Sequence, residues 1–303
     1  MRDLDHATAP LLRDIARHAR SQGDRIAIRC GDTAHDYAKL VRRFERVTAH
    51  LAGTHGVRAG QRVATLAAND DLQLVILLAC LRLGAIWAPL DPLAAPDVLA
   101  RQVQQADADL MVTDDVHRPA LQALGVWPPG RPCVLLERLI DHPAPYGQRY
   151  PDAESGAPVL LLFDAEHTGK TMRYRQDALL RVHTDLAADD NVLVAQPLAR
   201  FTSLMLEAVP ALARGATVTL LPEFTAGAWL AAVTAARPTV ATVTVAMMEA
   251  IQRDPRWLGA DFTALRRLSV VGGAPAPALA AEWLGRGLPL AVADLPVSTT
   301  LGE

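Results

Sequence analysis

Residues 158–180 combine residue types that could bind phosphate. The apolar run 159–163 predicts a buried strand, and a polar loop, 164–171, follows it before apolar residues resume at helical spacing. A strand, a short polar loop and a helix form many phosphate sites, because the loop amides and the helix N-terminus point at the anion. We predict a phosphate-loop remnant at the end of this loop, comprising Thr168, Gly169, Lys170 and Thr171.

The same loop departs from established phosphate motifs. Lys170 and Thr171 resemble the end of GxxxxGK[ST], but the first glycine of that motif would fall at Asp164, so we do not expect a P-loop nucleotidase. Asp164 and Glu166 put two carboxylates where phosphate would bind. At ~4 Å and an effective dielectric of about 20, each carboxylate–phosphate pair is repelled by about 4 kcal/mol. One Mg²⁺ could offset part of that; the alternative is a solvated surface loop on an eroded site.

Composition narrows the class of protein. The 303 residues are 50% hydrophobic and 21% charged, which indicates a globular chain. A net charge of −3 does not favour binding to nucleic acid, which usually requires a basic surface. Cys30, Cys80 and Cys133 are scattered, without a CxxC spacing, and indicate buried thiols in a reducing compartment. The N-terminus lacks the apolar core of a signal peptide, and no apolar run reaches the ~20 residues of a membrane span. We expect a cytoplasmic protein.

Predicted strands alternate with predicted helices along the whole chain, which indicates mainly parallel sheets covered by helices, an α/β fold. Residues 72–83 are apolar nearly all round and predict a buried helix, with Asn69, Asp70 and Asp71 as candidate caps. Residues 126–152 are rich in proline and predict a connection between two lobes, 1–150 and 151–303.

Four short patterns occur in order in the first half, at residues 36–40, 56–64, 78–85 and 89–92. Together they resemble the acyl-adenylate-forming (AMP-binding) superfamily, which includes acyl-CoA synthetases, fatty acyl-AMP ligases, adenylation domains and luciferases. The resemblance implies two stacked α/β lobes, like the large N-terminal domain of those enzymes without their C-terminal lid. It continues at 215–220 and at the GGAP-like residues Gly272, Gly273, Ala274 and Pro275, which by resemblance would contact adenine and the acyl group. A strand-end turn would use the two glycines equally well.

The signatures that carry the family's chemistry are altered. The first resembles YTSGTTGxPKG, and here only Thr168 and Gly169 match, while Lys170 takes the variable position. The last resembles YGSTETG and would place Ser298, Thr299 and Thr300 in the nucleotide and acyl pocket. Pro296 replaces the aromatic residue that stacks on adenine, and Thr300 replaces the glutamate that helps to hold Mg²⁺. Arg200 stands where a histidine or aromatic residue is frequent; it could bind an anion, but we expect an exposed arginine.

These losses favour a degenerate, truncated and non-catalytic homologue that binds an acyl group, a nucleotide or a partner protein. The alternative is an ATP-dependent carboxylate-activating ligase, forming acyl-AMP or acyl-CoA, whose lid another chain supplies. No catalytic or metal-ligating residue is predicted, and ATP or AMP with Mg²⁺ enters only if the ligase hypothesis holds. We expect a homodimer or a complex with a biosynthetic enzyme, built near residues 288–301, because the family's large domain continues past this point.

Overall fold

Strands and helices alternate through the computed structural model, which describes residues 9–141, 150, 156–163, 170–181 and 184–292. The strands are β1 (Ile26–Cys30), β2 (Thr33–Asp36), β3 (Arg62–Leu66), β4 (Ile86–Pro89), β5 (Leu110–Thr113), β6 (Cys133–Leu135), β7 (Pro158–Phe163), β8 (Thr171–Arg175), β9 (Asn191–Val194), β10 (Thr217–Leu220), β11 (Val240–Thr244), β12 (Arg267–Val271) and β13 (Leu290–Val292). The α-helices are α1 (Pro10–Ser21), α2 (Tyr37–Gly53), α3 (Asp71–Leu83), α4 (Pro96–Ala106), α5 (Arg118–Leu124), α6 (Val209–Arg214), α7 (Ala226–Ala236), α8 (Val245–Arg253) and α9 (Pro277–Gly285). Shorter 3-10 segments lie at Leu136–Ile140, Ala178–Leu180 and Pro255–Gly259, and a π-helical segment spans Thr202–Ala208.

Two mainly parallel sheets organise these elements, as the α/β prediction required. The seven-stranded sheet has the order β13-β12-β11-β9-β10-β1-β2, and the six-stranded sheet has the order β6-β5-β3-β4-β7-β8. Among the described strands, only the β1–β2 and β7–β8 pairings are antiparallel. The carboxyl ends of the parallel strands therefore collect at one edge of each sheet.

The two sheets exchange strands between the halves of the chain. β1 and β2, from the N-terminal part, lie in the seven-stranded sheet beside β10, whereas β7 and β8 join β4 in the six-stranded sheet. The division into domains 1–150 and 151–303 stays a prediction, and each of these halves contributes two strands to the sheet of the other.

Helix α3 lies in the main hydrophobic core, as predicted from its apolar sequence. All of its residues are buried. Asp70 caps its start by accepting a hydrogen bond from the Leu72 amide, and Gly84, at a φ of 67°, ends it in the left-handed conformation. The one amide side chain inside the helix, Gln73, is satisfied by the Ala67 and Ala68 carbonyls and the Thr65 hydroxyl. In the described residues no helix is long and apolar enough to cross a bilayer.

Two predicted segments are corrected by the structure. The helix expected after the polar loop is instead β8, which pairs with β7 so that Phe163 faces Thr171. Tyr174 is fully buried while its neighbours Arg173 and Arg175 are exposed, and this alternation of burial is typical of a strand. The helical spacing predicted further on corresponds to a single 3-10 turn at Ala178–Leu180. The predicted connection 126–152 contains β6, because pairing with β5 overrides the local influence of its prolines.

Candidate functional site

Asn69, which follows β3, joins the carboxyl edges of the two sheets. Its side-chain amide donates to the carbonyls of Gln196 at 2.8 Å and Leu221 at 3.1 Å, and its Oδ1 accepts from the Leu198 amide at 2.8 Å. These three backbone groups follow β9 and β10, where the sheet ladder no longer satisfies them. Since Asn69 is only 4% exposed, these bonds form in a buried contact between the sheets.

A second contact joins the same edges through Arg200 and Asp91. Asp91 follows β4 and Arg200 follows β9, and their side chains form an ion pair at 2.6 Å. The side chain of Arg200 is 31% exposed and that of Asp91 is 10% exposed. The expectation of an exposed arginine is therefore wrong: the partner carboxylate lies 109 positions away in the sequence and is brought to it only by the fold.

These two contacts show which strand ends face one another. Asn69 joins the β3 end to the ends of β9 and β10, and Arg200 joins the β4 end to the β9 end. The next strands along are β7 and β8 on one side and β11 and β12 on the other. Loops at the carboxyl ends of parallel strands form the usual ligand site of such sheets. We give the name crevice to the region at the carboxyl ends of β4, β9 and β12, which Asp91, Arg200 and Gly272 follow.

Gly272, Gly273, Ala274 and Pro275 leave the carboxyl end of β12, on the seven-stranded side of the crevice. Gly272 has a φ of 75° and Gly273 a φ of 126°, so both hold conformations that other residues rarely adopt. Apart from the glycine itself and its two chain neighbours, no described heavy atom lies within 4 Å of the position a Cβ would take on either residue. The sharp turn alone accounts for these two glycines, and their contact with a nucleotide or acyl group stays a prediction.

Lys170 and Thr171 lie on the six-stranded side of the crevice. Both are exposed, and Thr171 begins β8 opposite Phe163, the last residue of β7. Thr168 and Gly169 lie outside the described residues, as do Asp164 and Glu166. The residues predicted for the nucleotide and acyl pocket, Ser298, Thr299 and Thr300, lie outside them too. Of the predicted phosphate loop, the structure thus describes only Lys170 and Thr171, beside the carboxyl end of β7, and the roles of all four residues stay predictions.

A buried polar group, which the sequence reasoning did not single out, lies on the π-helical segment after Arg200. Glu207 is 4% exposed and Ser203 is fully buried. Burial raises the pKa of Glu207 to about 8, although a hydrogen bond from Thr242 and the charge of Arg267 act in the opposite direction. Glu207 Oε1 and Ser203 Oγ have no hydrogen-bond partner within the described residues. The signal in the sequence was a lone carboxylate inside an otherwise apolar helical run.

The π-helical geometry itself has a local cause. The sequence predicts one continuous helix over 201–213, yet Pro210 lies inside it. Proline has no amide hydrogen, so the regular ladder of the α-helix cannot pass through it, and the turns before it are wound more widely. Such segments are frequent at functional sites.

The described residues contain no group of three or more histidine, cysteine or acidic side chains arranged to hold a metal ion. Arg200 and Asp91, which join the two edges, form an ion pair with each other. Lys170, beside the carboxyl end of β7, is exposed.

Comparison with known proteins agrees with this architecture. A family model described as "AMP-binding enzyme" matches residues 15–162 and 165–295. Feruloyl-CoA synthase from Amycolatopsis sp is 35% identical over 291 residues, covering 90% of this chain and 56% of the relative. Indoleacetate–CoA ligase from Aromatoleum aromaticum is 31% identical over 300 residues, covering 91% of this chain and 58% of the relative. The chain thus spans little more than half the length of these curated relatives.

Solved structures show the same fold. An anthranilate CoA ligase in complex with anthranoyl-AMP superposes with a TM-score of 0.83 at 17% identity, covering 95% of this chain and 59% of the other. The N-terminal domain of FACL13 from Mycobacterium tuberculosis gives a TM-score of 0.80 at 16% identity, covering 91% of this chain and 73% of the other. At these identities the likeness concerns the fold alone, and it matches the predicted N-terminal domain architecture.

Proposed function

Since this chain belongs to the AMP-binding enzyme family, we propose that it is a non-catalytic member that binds an aromatic acyl group in the crevice and does not activate it with ATP. The acyl part of the proposal rests on the relatives, since feruloyl and indoleacetate groups are both aromatic. The non-catalytic part rests on the β7–β8 loop.

That loop carries the observation on which the proposal depends. Asp164 and Glu166 belong to the segment that joins Phe163 to Thr171, and Phe163 and Thr171 pair with each other at the ends of β7 and β8. The two carboxylates thus belong to the loop that in the family would surround the phosphates. A repulsion of about 4 kcal/mol per pair, at a separation of ~4 Å, corresponds to nearly a thousandfold in the dissociation constant.

The alternative is an ATP-dependent ligase that activates a carboxylate while another polypeptide supplies the lid. The 35% identity to feruloyl-CoA synthase over 90% of this chain favours it. ATP with Mg²⁺ would then be a substrate. Lys170 would be the lysine at its phosphates, since it belongs to the predicted phosphate loop, whereas Lys39, the other lysine of the chain, belongs to α2.

Titration calorimetry with ATP·Mg²⁺ and assays of carboxylate-dependent pyrophosphate exchange separate the two functions. We expect no binding and no exchange with the native chain. The double variant Asp164→Ser, Glu166→Gly should gain ATP affinity, whereas a control that removes two exposed acids elsewhere, Asp115→Ser with Glu137→Gly, should not. A micromolar dissociation constant for ATP with the native chain would contradict the proposal. Exchange that is lost in Lys170→Ala would establish the ligase.

The proposal includes a compartment and a partner. Cys30, Cys80 and Cys133 are all free thiols, which supports a location in the cytoplasm. Burial raises the pKa of Cys30 to about 12, so this thiol stays protonated and unreactive. We also propose that the chain acts as a homodimer or beside a biosynthetic enzyme, since a protein that binds an acyl group without activating it needs another protein to use that group.

A further inference from the structure

We propose that a cavity between α5 and β6 is a second ligand site, separate from the crevice, which binds a small aromatic carboxylate of the size of benzoate. The cavity has a volume of about 190 Å³. Its walls come from α5, from β6 and from the segment that joins them, and they comprise Arg118, Leu121, Gln122, Gly125, Trp127 and Cys133. The inference does not depend on the function proposed for the crevice.

The cavity lies at one edge of the six-stranded sheet, away from the crevice. β6 is the edge strand, and β5 and β3 lie between it and β4, whose carboxyl end belongs to the crevice. Three strand spacings of ~4.8 Å place β6 about 14 Å from β4. Cys133 is the first residue of β6, which runs parallel to β5, so it lies towards the amino ends of these strands. A single-ring ligand in the cavity therefore does not reach the crevice.

The inner wall of the cavity is apolar. Leu121 is 2% exposed and belongs to the hydrophobic cluster on one face of the six-stranded sheet, against which Trp127 and Cys133 also pack. The indole N–H of Trp127 donates to the Arg131 carbonyl at 3.2 Å, so this side chain contributes ring carbon atoms to the wall. An apolar cavity of about 150 Å³ admits benzene. The present cavity therefore has the size of one ring with one small substituent.

The charged group of the cavity is Arg118. Its guanidinium forms no hydrogen bond or ion pair with another described residue, and Asp114, four positions earlier, pairs instead with His117 at 2.8 Å. Burial raises the pKa of Cys133, and the charge of Arg118 opposes that rise, which places the guanidinium close to the thiol. A guanidinium with unused N–H groups is a good partner for a carboxylate, since the two can form parallel hydrogen bonds.

The spacing of the charged and apolar walls indicates how the ligand is built. Leu121 follows Arg118 by three positions on α5, so the two side chains are neighbours on the helix, about 5–6 Å apart at Cβ. Gln122 follows Arg118 by four positions and adds an amide on the same side. A carboxylate joined directly to a ring can contact both walls at once. Inorganic phosphate would use only the guanidinium, and benzyl alcohol would use mainly the apolar wall.

The thiol of Cys133 reports directly on the occupancy of the cavity. Cys30 is 8% exposed and Cys80 is fully buried, whereas Cys133 is half-buried and should react first. The full chain is treated with the neutral reagent dithiodipyridine: the thiolate attacks its disulfide, a mixed disulfide forms, and the released pyridinethione is followed by absorbance. The Cys133→Ser variant identifies the part of the signal that comes from this thiol. The concentration dependence of the slowing by a ligand gives its dissociation constant.

We expect benzoate to protect Cys133 with a dissociation constant about fivefold lower than that of benzyl alcohol, the preference expected from one contact with an exposed arginine. Inorganic phosphate should protect it less than benzoate. Arg118→Ala should reduce the benzoate preference to about one. Arg138→Ala is the matched control, because it removes one positive charge five positions after Cys133 but outside the cavity, and it should leave the preference unchanged. Each variant is compared with its own rate without ligand, since Arg118 also affects the thiol.

Three results would overturn the inference. Absence of protection by benzoate shows that the cavity is not a ligand site. Equal protection by benzoate and benzyl alcohol, or by benzoate and phosphate, shows that the cavity does not recognise a ring and a charge together. A benzoate preference that persists in Arg118→Ala shows that benzoate acts from another place. If Cys133 does not react in the native chain, saturation-transfer NMR with the same three ligands, on the native chain and on Arg118→Ala, decides by the same criteria.

Discussion

Replacing Glu207 by glutamine should change how the stability of the protein depends on pH. The pKa of Glu207 is about 8 in the native state, against a usual value of 4.5 for a glutamate. Between these two values the unfolded chain has released the proton while the native state still holds it. Unfolding therefore becomes easier as pH rises through this window, by about 1.4 kcal/mol per pH unit.

The size of the effect follows from the shift. Over the interval from 4.5 to 8, Glu207 lowers the free energy of unfolding by up to about 5 kcal/mol, and above it both states are ionised and the loss stops growing. Glutamine does not titrate, so this loss disappears in the variant. The added amide hydrogens cost about 1–3 kcal/mol if they stay unpaired. The variant should therefore be about 0–2 kcal/mol less stable near pH 5, and about 1–3 kcal/mol more stable near pH 8.

The measurement is urea denaturation followed by far-ultraviolet circular dichroism, at several pH values from 5 to about 8.5. The difference in unfolding free energy between variant and native protein is the quantity that matters, because the other titrating groups are common to both chains. Glu249→Gln, on the exposed face of α8, is the control and should show a difference near zero throughout. A Glu207→Gln difference that does not change with pH would falsify the assignment of a neutral, buried carboxyl group.

Three further predictions follow from other contacts. Asn69→Ala should lower the unfolding free energy by about 2–4 kcal/mol, because three backbone groups lose their hydrogen-bond partner. A loss below ~1 kcal/mol in the same urea assay would show that the contact between the sheet edges does not depend on the Asn69 side chain. Asp71→Ala should lower the unfolding free energy by about 3–5 kcal/mol, because Asp71 Oδ2 pairs with the largely buried Arg43 at 2.7 Å. The double variant Arg43→Ala, Asp71→Ala should recover part of this loss, because it leaves no unpaired arginine behind. Light scattering at micromolar concentrations should show self-association, since β13 is an edge strand of the described seven-stranded sheet and Leu284 and Val292 are each 55% exposed. A strictly monomeric species would contradict the predicted homodimer.

Local signals were sufficient for the elements whose causes are local. The apolar spacing over 37–53 predicts an amphipathic helix, and α2 spans Tyr37–Gly53, with Asp36 capping it by accepting from the Lys39 amide. The burial of α3 follows from a sequence with no polar face. The family resemblance also depends on short, contiguous patterns, and the family match over 15–162 and 165–295 confirms it.

Elements that depend on a distant partner were not predicted. β6 forms because β5 offers it an edge, and β8 forms because β7 ends at a hairpin, although the residues of both have weak local signals. Similarly, β1 and β2 lie beside β10 in the sheet of the second half, a pairing that no local pattern encodes. The sequence determined which segments are apolar and periodic, and the tertiary structure decided with which neighbour each segment pairs.

The candidate site divides in the same way. The sequence by itself determined that carboxylates replace small residues in the β7–β8 loop and that Gly272 and Gly273 follow a strand, since these are matters of residue identity. Only the fold brought Arg200 to Asp91 and Asn69 to the ends of β9 and β10, because these partners are far apart along the chain. Only the fold made Glu207 a neutral acid, because its protonation depends on the water that packing excludes from it and not on its neighbours in the sequence.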